Sequence, residues 1–284
     1  MGELLKGKPV ADAITEKVKK GVNELKAKNI HPKLMIVRVG ERQDDLSYEK
    51  SAVKRMEKCG IEWEVIALPA DINQDNFIEK LKSVNEDNTV HGILLFRPLP
   101  KQLDENVIKY IISPEKDIDC FNPANVAKVV EGDETGFAPC TPTAAMEILK
   151  YYNIELKGKR AAVVGRSLVV GKPMAMLLLG ENATVTICHS RTEELDKVTQ
   201  EADILVAAIG KAKMITQDFV KKNAVVIDVG INVDEEGNLW GDVDTELCIE
   251  KSSFITPVPG GVGSVTTAVL AKHVLKASKA MLKL

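Results

Sequence analysis

The stretch Ala161-Ala162-Val163-Val164-Gly165-Arg166-Ser167-Leu168-Val169-Val170-Gly171-Lys172-Pro173 restricts the fold of this chain more than any other. Four small or β-branched residues follow the polar run Lys157-Gly158-Lys159-Arg160, the pattern of a short parallel strand covered on both faces. Gly165 is free to take the positive φ of a tight turn. The apolar segment opening near Gly171 and Pro173 reads as a helix whose first N–H groups and positive dipole end face an anion. The spacing from Gly165 to Gly171, with Pro173 after Lys172, departs from both the Walker A loop and G-x-G-x-x-G. On these residues alone a variant dinucleotide loop and an ordinary glycine turn both stand.

The residues that follow favour the first reading. Ala183–Cys188, Asp203–Ala208 and Ala224–Val229 are further apolar runs separated by helical or polar segments, the alternation of a doubly wound sheet. Gly210 and Gly230 each close one of these strands, at the carboxyl edge where such sheets bind ligands. An NAD site places a carboxylate about 20 residues beyond the glycine loop, to accept from the ribose 2′-OH. Here the second strand ends in Cys188-His189-Ser190-Arg191-Thr192, with no carboxylate before Glu193. Ser190 and Arg191 are donors suited to a 2′-phosphate, with Arg166 closing on it from the first loop, so NADP is expected over NAD. Arg191 also suits a solvated charge at a helix start.

Composition excludes more than it assigns. The 284 residues, 45% apolar and 28% charged, suffice for a substantial core and favour two domains. A net charge of -3 offers no electrostatic reason to expect nucleic acid or a membrane as partner. The five cysteines are scattered, with no C-x-x-C pair, and read as reduced thiols of a cytoplasmic protein. His31, His91, His189 and His273 are too dispersed for a metal cluster, and no apolar run is long enough to span a bilayer.

The N-terminal half reads as a separate α/β unit. Val10–Lys28 has helical apolar spacing, Leu34–Val39 is a strand ending at Gly40, and Leu46–Cys59 is a helix closed by Gly60. Strand Trp63–Leu68, helix Gln74–Val84 and strand His91–Phe96 follow, the last stopped by Arg97-Pro98-Leu99-Pro100. The boundary falls near Pro139-Cys140-Thr141-Pro142, where Thr141 caps and Pro142 starts a helix through Tyr151. The expected organisation is an N-terminal domain over residues 1–140, joined by a closing helix over 265–284, and a Rossmann-like domain over 141–264, with a cleft between them. Tyr48 lies on the first turn of a helix after Gly40. Asp119, in Lys116-Asp117-Ile118-Asp119, is able to accept from a planar N–C–N edge such as a pterin's, and equally able to be satisfied by its own loop. The segment Thr256–Ser264, with Pro257, Gly260 and Gly261, is too rich in glycine and proline for a regular element and reads as a fixed-shape loop near a ligand.

Together these residues resemble the methylenetetrahydrofolate dehydrogenase/cyclohydrolase family, almost end to end. The matching pieces are Val39-Gly40 with Tyr48, Pro98-Leu99-Pro100, Lys116-Asp117-Ile118-Asp119, Pro139-Cys140-Thr141-Pro142, Val164-Gly165-Arg166-Ser167 with Val170-Gly171-Lys172-Pro173, Cys188-His189-Ser190, Ile227-Asp228-Val229-Gly230 and Pro257–Gly263. The resemblance implies oxidation of 5,10-methylenetetrahydrofolate to 5,10-methenyltetrahydrofolate by hydride transfer to NADP, and in many members hydrolysis of the product to 10-formyltetrahydrofolate. It implies that Asp119 holds the pterin and Tyr48 stacks on the aminobenzoyl part. It assigns the Pro257–Gly263 loop to folate and nicotinamide. Gly165, Arg166, Ser167, Gly171, Lys172, Pro173, Ser190, Arg191, Gly210, Gly230 and Ile231 fall to the cofactor. A cytoplasmic homodimer without a metal is the expected form.

Two departures bear on hydrolysis. Bifunctional relatives carry a lysine four residues beyond the tyrosine, one helical turn along the same face, and here that position is Ala52. Lys50 and Lys54 are expected to point away, and Arg55 is a poor base because its guanidinium stays protonated. Where the family commonly has glutamine before Leu-Pro-Leu-Pro, this chain has Phe96 and then Arg97. The expectation is a dehydrogenase with weak or absent cyclohydrolase activity, or else one in which Arg97 substitutes for the missing group.

Overall fold

Short apolar runs become parallel strands where helices cover both faces, and that is how this chain uses them. The computed structural model describes residues 2–283. Its strands are β1 (Glu3–Leu4), β2 (Lys33–Val39), β3 (Glu62–Leu68), β4 (Gly92–Leu95), β5 (Arg160–Val164), β6 (Thr184–Cys188), β7 (Ile204–Ala207), β8 (Val225–Asp228), β9 (Asn232–Val233), β10 (Leu239–Trp240) and β11 (Phe254–Ile255). The chain is an α/β protein of two compact units. One holds the residues up to Asp12 together with Pro139–Thr266, the other Ala13–Ala138 together with the residues from Thr267 onward.

In the first unit six strands lie in the order β1-β11-β8-β7-β5-β6, every pair parallel. β7 and β8 are buried along their whole length, and in β5 only Arg160 reaches solvent. Ala162, Val164, Leu205, Ala207, Val226 and Ile255 meet in one apolar cluster. The strands at β5 to β8 fall where the apolar runs place them, β5 extended by Arg160 and the other three shortened by a residue at one or both ends. β1 and β11 were not foreseen, because two residues carry no readable alternation. The antiparallel hairpin β9-β10 was also unforeseen.

In the second unit β2 runs between β3 and β4, again all parallel. β2 is buried and β3 is an edge strand with an exposed flank, which explains its polar alternation Glu62-Trp63-Glu64. Helix Gln43–Cys59 starts three residues earlier than the apolar spacing indicates, drawing Asp44 and Asp45 into its first turn where the dipole favours them. It ends at Gly60, which takes φ 72 as expected and returns its N–H to the Glu57 carbonyl.

One capping expectation fails. The helix after the boundary spans Cys140–Tyr151, so Thr141 lies inside it, and the N-cap is Pro139 with no side-chain cap. Thr143 Oγ1 instead donates to the Pro139 carbonyl at 2.8 Å. The closing helix is Thr266–Ala280.

Candidate functional site

Because β5, β6, β7, β8 and β11 are parallel neighbours, the segments after them all leave from one edge of the first unit's sheet. That edge gathers the Gly165–Pro173 loop, Ser190 and Arg191, Gly210, Gly230 and Ile231, and the Pro257–Gly263 loop. Gly165 takes φ 145, and a Cβ there would stand 2.3 Å from the Ala208 carbonyl oxygen. Only glycine lets the β5 turn approach the β7 turn this closely. Arg166, Ser190 and Arg191 are exposed, as are Ser167, Lys172, Gly210 and Ile231, while Gly171, Pro173 and Gly230 are buried.

The helix Gly171–Gly180 opens differently from the expectation that its first N–H groups face an anion. Ser167 Oγ accepts from the Val170 and Gly171 N–H groups at 3.1 and 3.4 Å, and the Ser167 carbonyl accepts from Lys172 N at 3.0 Å. Pro173 has no N–H to offer. The loop's own serine therefore accepts from the start of the helix, and the side chains of Arg166, Lys172 and Arg191 stand among the solvent-facing cations of this edge, with Lys211 and Lys213 after β7.

A pocket of about 240 Å³ is lined by Asp228, Val229, Gly230 and Ile231 on one side and by the Pro257–Ser264 segment on the other. Asp228 is fully buried, and burial pushes its carboxyl up to about 7 against three backbone hydrogen bonds that pull it down.

In the second unit the sites follow β2 and β4. The Tyr48 ring meets the edge of the buried Phe96 ring at a centroid distance of 5.8 Å. Arg97 places its guanidinium 4.5 Å over the Phe121 ring. Arg38 ties the end of β2 to the helix that carries Tyr48, donating Nε to Glu49 at 2.8 Å and Nη1 to the Gly40 carbonyl at 2.6 Å. The Lys-Asp-Ile-Asp motif divides its work. Lys116, buried, donates to the carbonyls of Asn85 and Asp87 at 2.7 Å each. Asp117 accepts from Phe121 N, Asn122 N and Asn125 Nδ2, at 2.9, 2.8 and 2.8 Å. The Ile118 carbonyl accepts from His273 Nδ1 at 2.9 Å. Asp119 is thus held half-exposed at the tip of a braced loop.

Ala52 is completely buried on the inner face of its helix. Lys50 and Lys54 are exposed, as their rotation along the helix requires. Arg55 turns inward, where Nη1 donates to Thr15 Oγ1 at 2.7 Å and Nε to Thr267 Oγ1 at 3.3 Å. Its guanidinium is committed to bracing helices.

Sequence reasoning passed over the groups that brace these sites: Asp228, Asp242, His273 and the Arg38–Glu49 pair. A signal existed for two of them. Asp228 ends a run of apolar strand residues and His273 interrupts an apolar helix, and a buried polar group needs partners.

The sequence matches two halves of one family: its catalytic domain over residues 5–119 and its NAD(P)-binding domain over residues 139–282, both described as tetrahydrofolate dehydrogenase/cyclohydrolase. The bifunctional protein FolD of Clostridioides difficile is 64% identical over 278 residues, 98% of this chain and 97% of that one. The FolD of Alkaliphilus oremlandii is also 64% identical, over 98% of both chains. Among solved structures, the bifunctional FolD of Campylobacter jejuni superposes with a TM-score of 0.96 at 41% identity, covering 99% of this chain and 100% of that one. FolD of Trypanosoma brucei, complexed with NADP and an inhibitor, gives 0.94 at 33% identity, covering 100% of this chain and 99% of that one. With the fold, the motif residues and these relatives in agreement along its whole length, the chain belongs to the tetrahydrofolate dehydrogenase/cyclohydrolase family.

Proposed function

We propose that this chain oxidises 5,10-methylenetetrahydrofolate to 5,10-methenyltetrahydrofolate by hydride transfer to NADP, and that it hydrolyses the product weakly or not at all. NADP supplies the hydride acceptor. The residues present fit it: Gly165 leaves room at the β5 turn, and exposed Arg166, Ser190 and Arg191 present donors for a 2′-phosphate with no carboxylate among them. Tyr48 and Asp119 are the second unit's candidates for folate, the first by ring stacking and the second by accepting from the pterin's N–C–N edge. Folate nitrogens support the cation left when hydride departs, so the work of the protein is alignment and exclusion of water.

One observation carries the division between the two activities. At position 52, where bifunctional relatives place lysine, the chain offers a buried methyl group. Loss of a general acid–base group removes about 10² to 10⁴ in rate. The test follows NADPH formation from methylenetetrahydrofolate and, separately, decay of methenyltetrahydrofolate above the buffer rate. Hydrolysis keeping pace with dehydrogenation overturns the second clause. A second reading draws on the relatives at 64% identity, which are named bifunctional. In it Arg97 assists the attack of water, and Arg97→Ala with hydrolysis unchanged disposes of it. The cytoplasmic homodimer that the resemblance implies is tested by fractionation of cells and light scattering of the purified protein.

A further inference from the structure

We propose that Asp228 is a positioning residue for hydride transfer, its carboxylate fixing the wall of the pocket against which the nicotinamide ring is held. The inference rests on the NADP reading above. Asp228 ends β8 and itself lines the pocket. Its Oδ1 accepts from Gly230 N at 2.9 Å and Asp242 N at 3.0 Å, and its Oδ2 from Val243 N at 2.9 Å. Its own N–H donates to Thr256 Oγ1 at 2.7 Å, one residue before the Pro257–Gly263 loop begins. A single residue therefore ties together the turn after β8, the segment at 242–243 and the root of the opposite pocket wall.

The backbone closes tightly around this group. A Cβ on Gly241 would stand 1.8 Å from Asp228 Oδ2, and one on Gly230 would stand 2.2 Å from the Asp242 carboxyl carbon. Asp242 extends the clamp, accepting from Gly210 N at 3.0 Å, Lys211 N at 2.9 Å and Asn232 Nδ2 at 3.0 Å. Two buried carboxylates thus set the turns after β7 and β8, and the acceptor Thr256 adds the segment after β11. An amide at 228 is a poor substitute, because its NH₂ would face a backbone N–H whichever way it turned.

The test compares Asp228→Asn, Thr256→Val and Thr256→Ser in the full-length enzyme. Far-UV circular dichroism confirms folding, and adenosine 2′,5′-bisphosphate serves as a probe of the 2′-phosphate end alone. For Asp228→Asn and Thr256→Val we expect kcat to fall about 10- to 100-fold while the bisphosphate Kd stays within about twofold, as for a misplacement confined to the reacting end. The deuterium isotope effect with labelled methylene should rise, because hydride transfer itself is slowed. Thr256→Ser, which keeps the acceptor, should recover most of the lost rate. An unchanged kcat, an unchanged isotope effect, or a bisphosphate Kd weakened as much as kcat overturns the proposal. If Asp228→Asn does not fold, the contrast between Thr256→Val and Thr256→Ser decides. A wild-type enzyme that does not reduce NADP with methylenetetrahydrofolate overturns the dehydrogenase reading itself, an outcome visible before any variant is made.

Discussion

His273 should make this protein lose stability as the pH falls, by an amount its surroundings set. Although the Ile118 carbonyl that accepts from its Nδ1–H favours the charged ring, burial, with the ring packed edge-on against Phe137 at 5.5 Å, pulls the imidazole down to about 4 against an ordinary value of 6.5. Lys272 and Lys276 push it the same way. Between those two values the unfolded chain takes up a proton that the folded chain refuses. Stability is therefore whole above the upper value and drains away as the pH falls toward the lower one. At about 1.36 kcal/mol per unit the full loss is about 3 kcal/mol, and about 2 kcal/mol of it is gone by about pH 5. Asp228 works in the opposite sense: raised to about 7, it contributes stability that is lost as the pH climbs through its own window. The total curve is thus not diagnostic, and the difference between wild type and His273→Gln is. Urea denaturation of both proteins at a series of pH values measures it, the glutamine keeping an N–H for Ile118 while removing the titration. Parallel stability curves from about pH 8 to about pH 5 would refute the reasoning. Because Ile118 adjoins Asp119, folate KM in the same variant reports whether the brace also serves the site.

Arg191→Ala should raise the KM for NADP roughly 10- to 100-fold, the worth of a charged hydrogen bond, and leave that for NAD unchanged; equal effects on both would remove Arg191 from the 2′-phosphate. Gly165→Ala forces a Cβ onto the Ala208 carbonyl and strains the backbone at φ 145, so it should cost about 1–3 kcal/mol and lower the melting temperature, and an unaltered melting temperature would contradict the contact. Ala52→Lys should raise methenyltetrahydrofolate hydrolysis by about 10² with dehydrogenation retained, at some cost in stability because the position is fully buried. A folded Ala52→Lys protein with no gain in hydrolysis would mean that lysine alone does not restore the activity.

The parts of the fold that could be read in advance are those where one physical demand acts alone. β5, β7 and β8 are buried on both faces, so four apolar residues in a row sufficed to locate them. Gly60 at the end of its helix was equally legible, since glycine takes a positive φ there at the least cost. The failures came where two groups compete for one role. Ser167 takes the helix donors reserved for a phosphate, and Pro139 with Thr143 displaces Thr141 from the cap. Asp119 stood out in its motif as a candidate ligand for a pterin, but nothing local showed that Lys116 and Asp117 are buried struts beneath it. That distinction rests on Asn85, Asn122 and Asn125, partners that no local pattern reveals.

The pairing of β1 with β11 also bears on how the chain comes into being. The register partners, Glu3 with Phe254 and Leu4 with Ile255, lie about 250 residues apart, so β1 leaves the ribosome long before β11. The second unit faces a similar delay, since it takes in the residues from Thr267 onward. Neither unit is a continuous piece of chain, so each closes only once its later segment has been made, and contacts this distant in sequence slow folding. A ribosome stalled near the Pro139 boundary would present two unfinished units. Cutting the gene at that boundary would yield two fragments that need each other to fold.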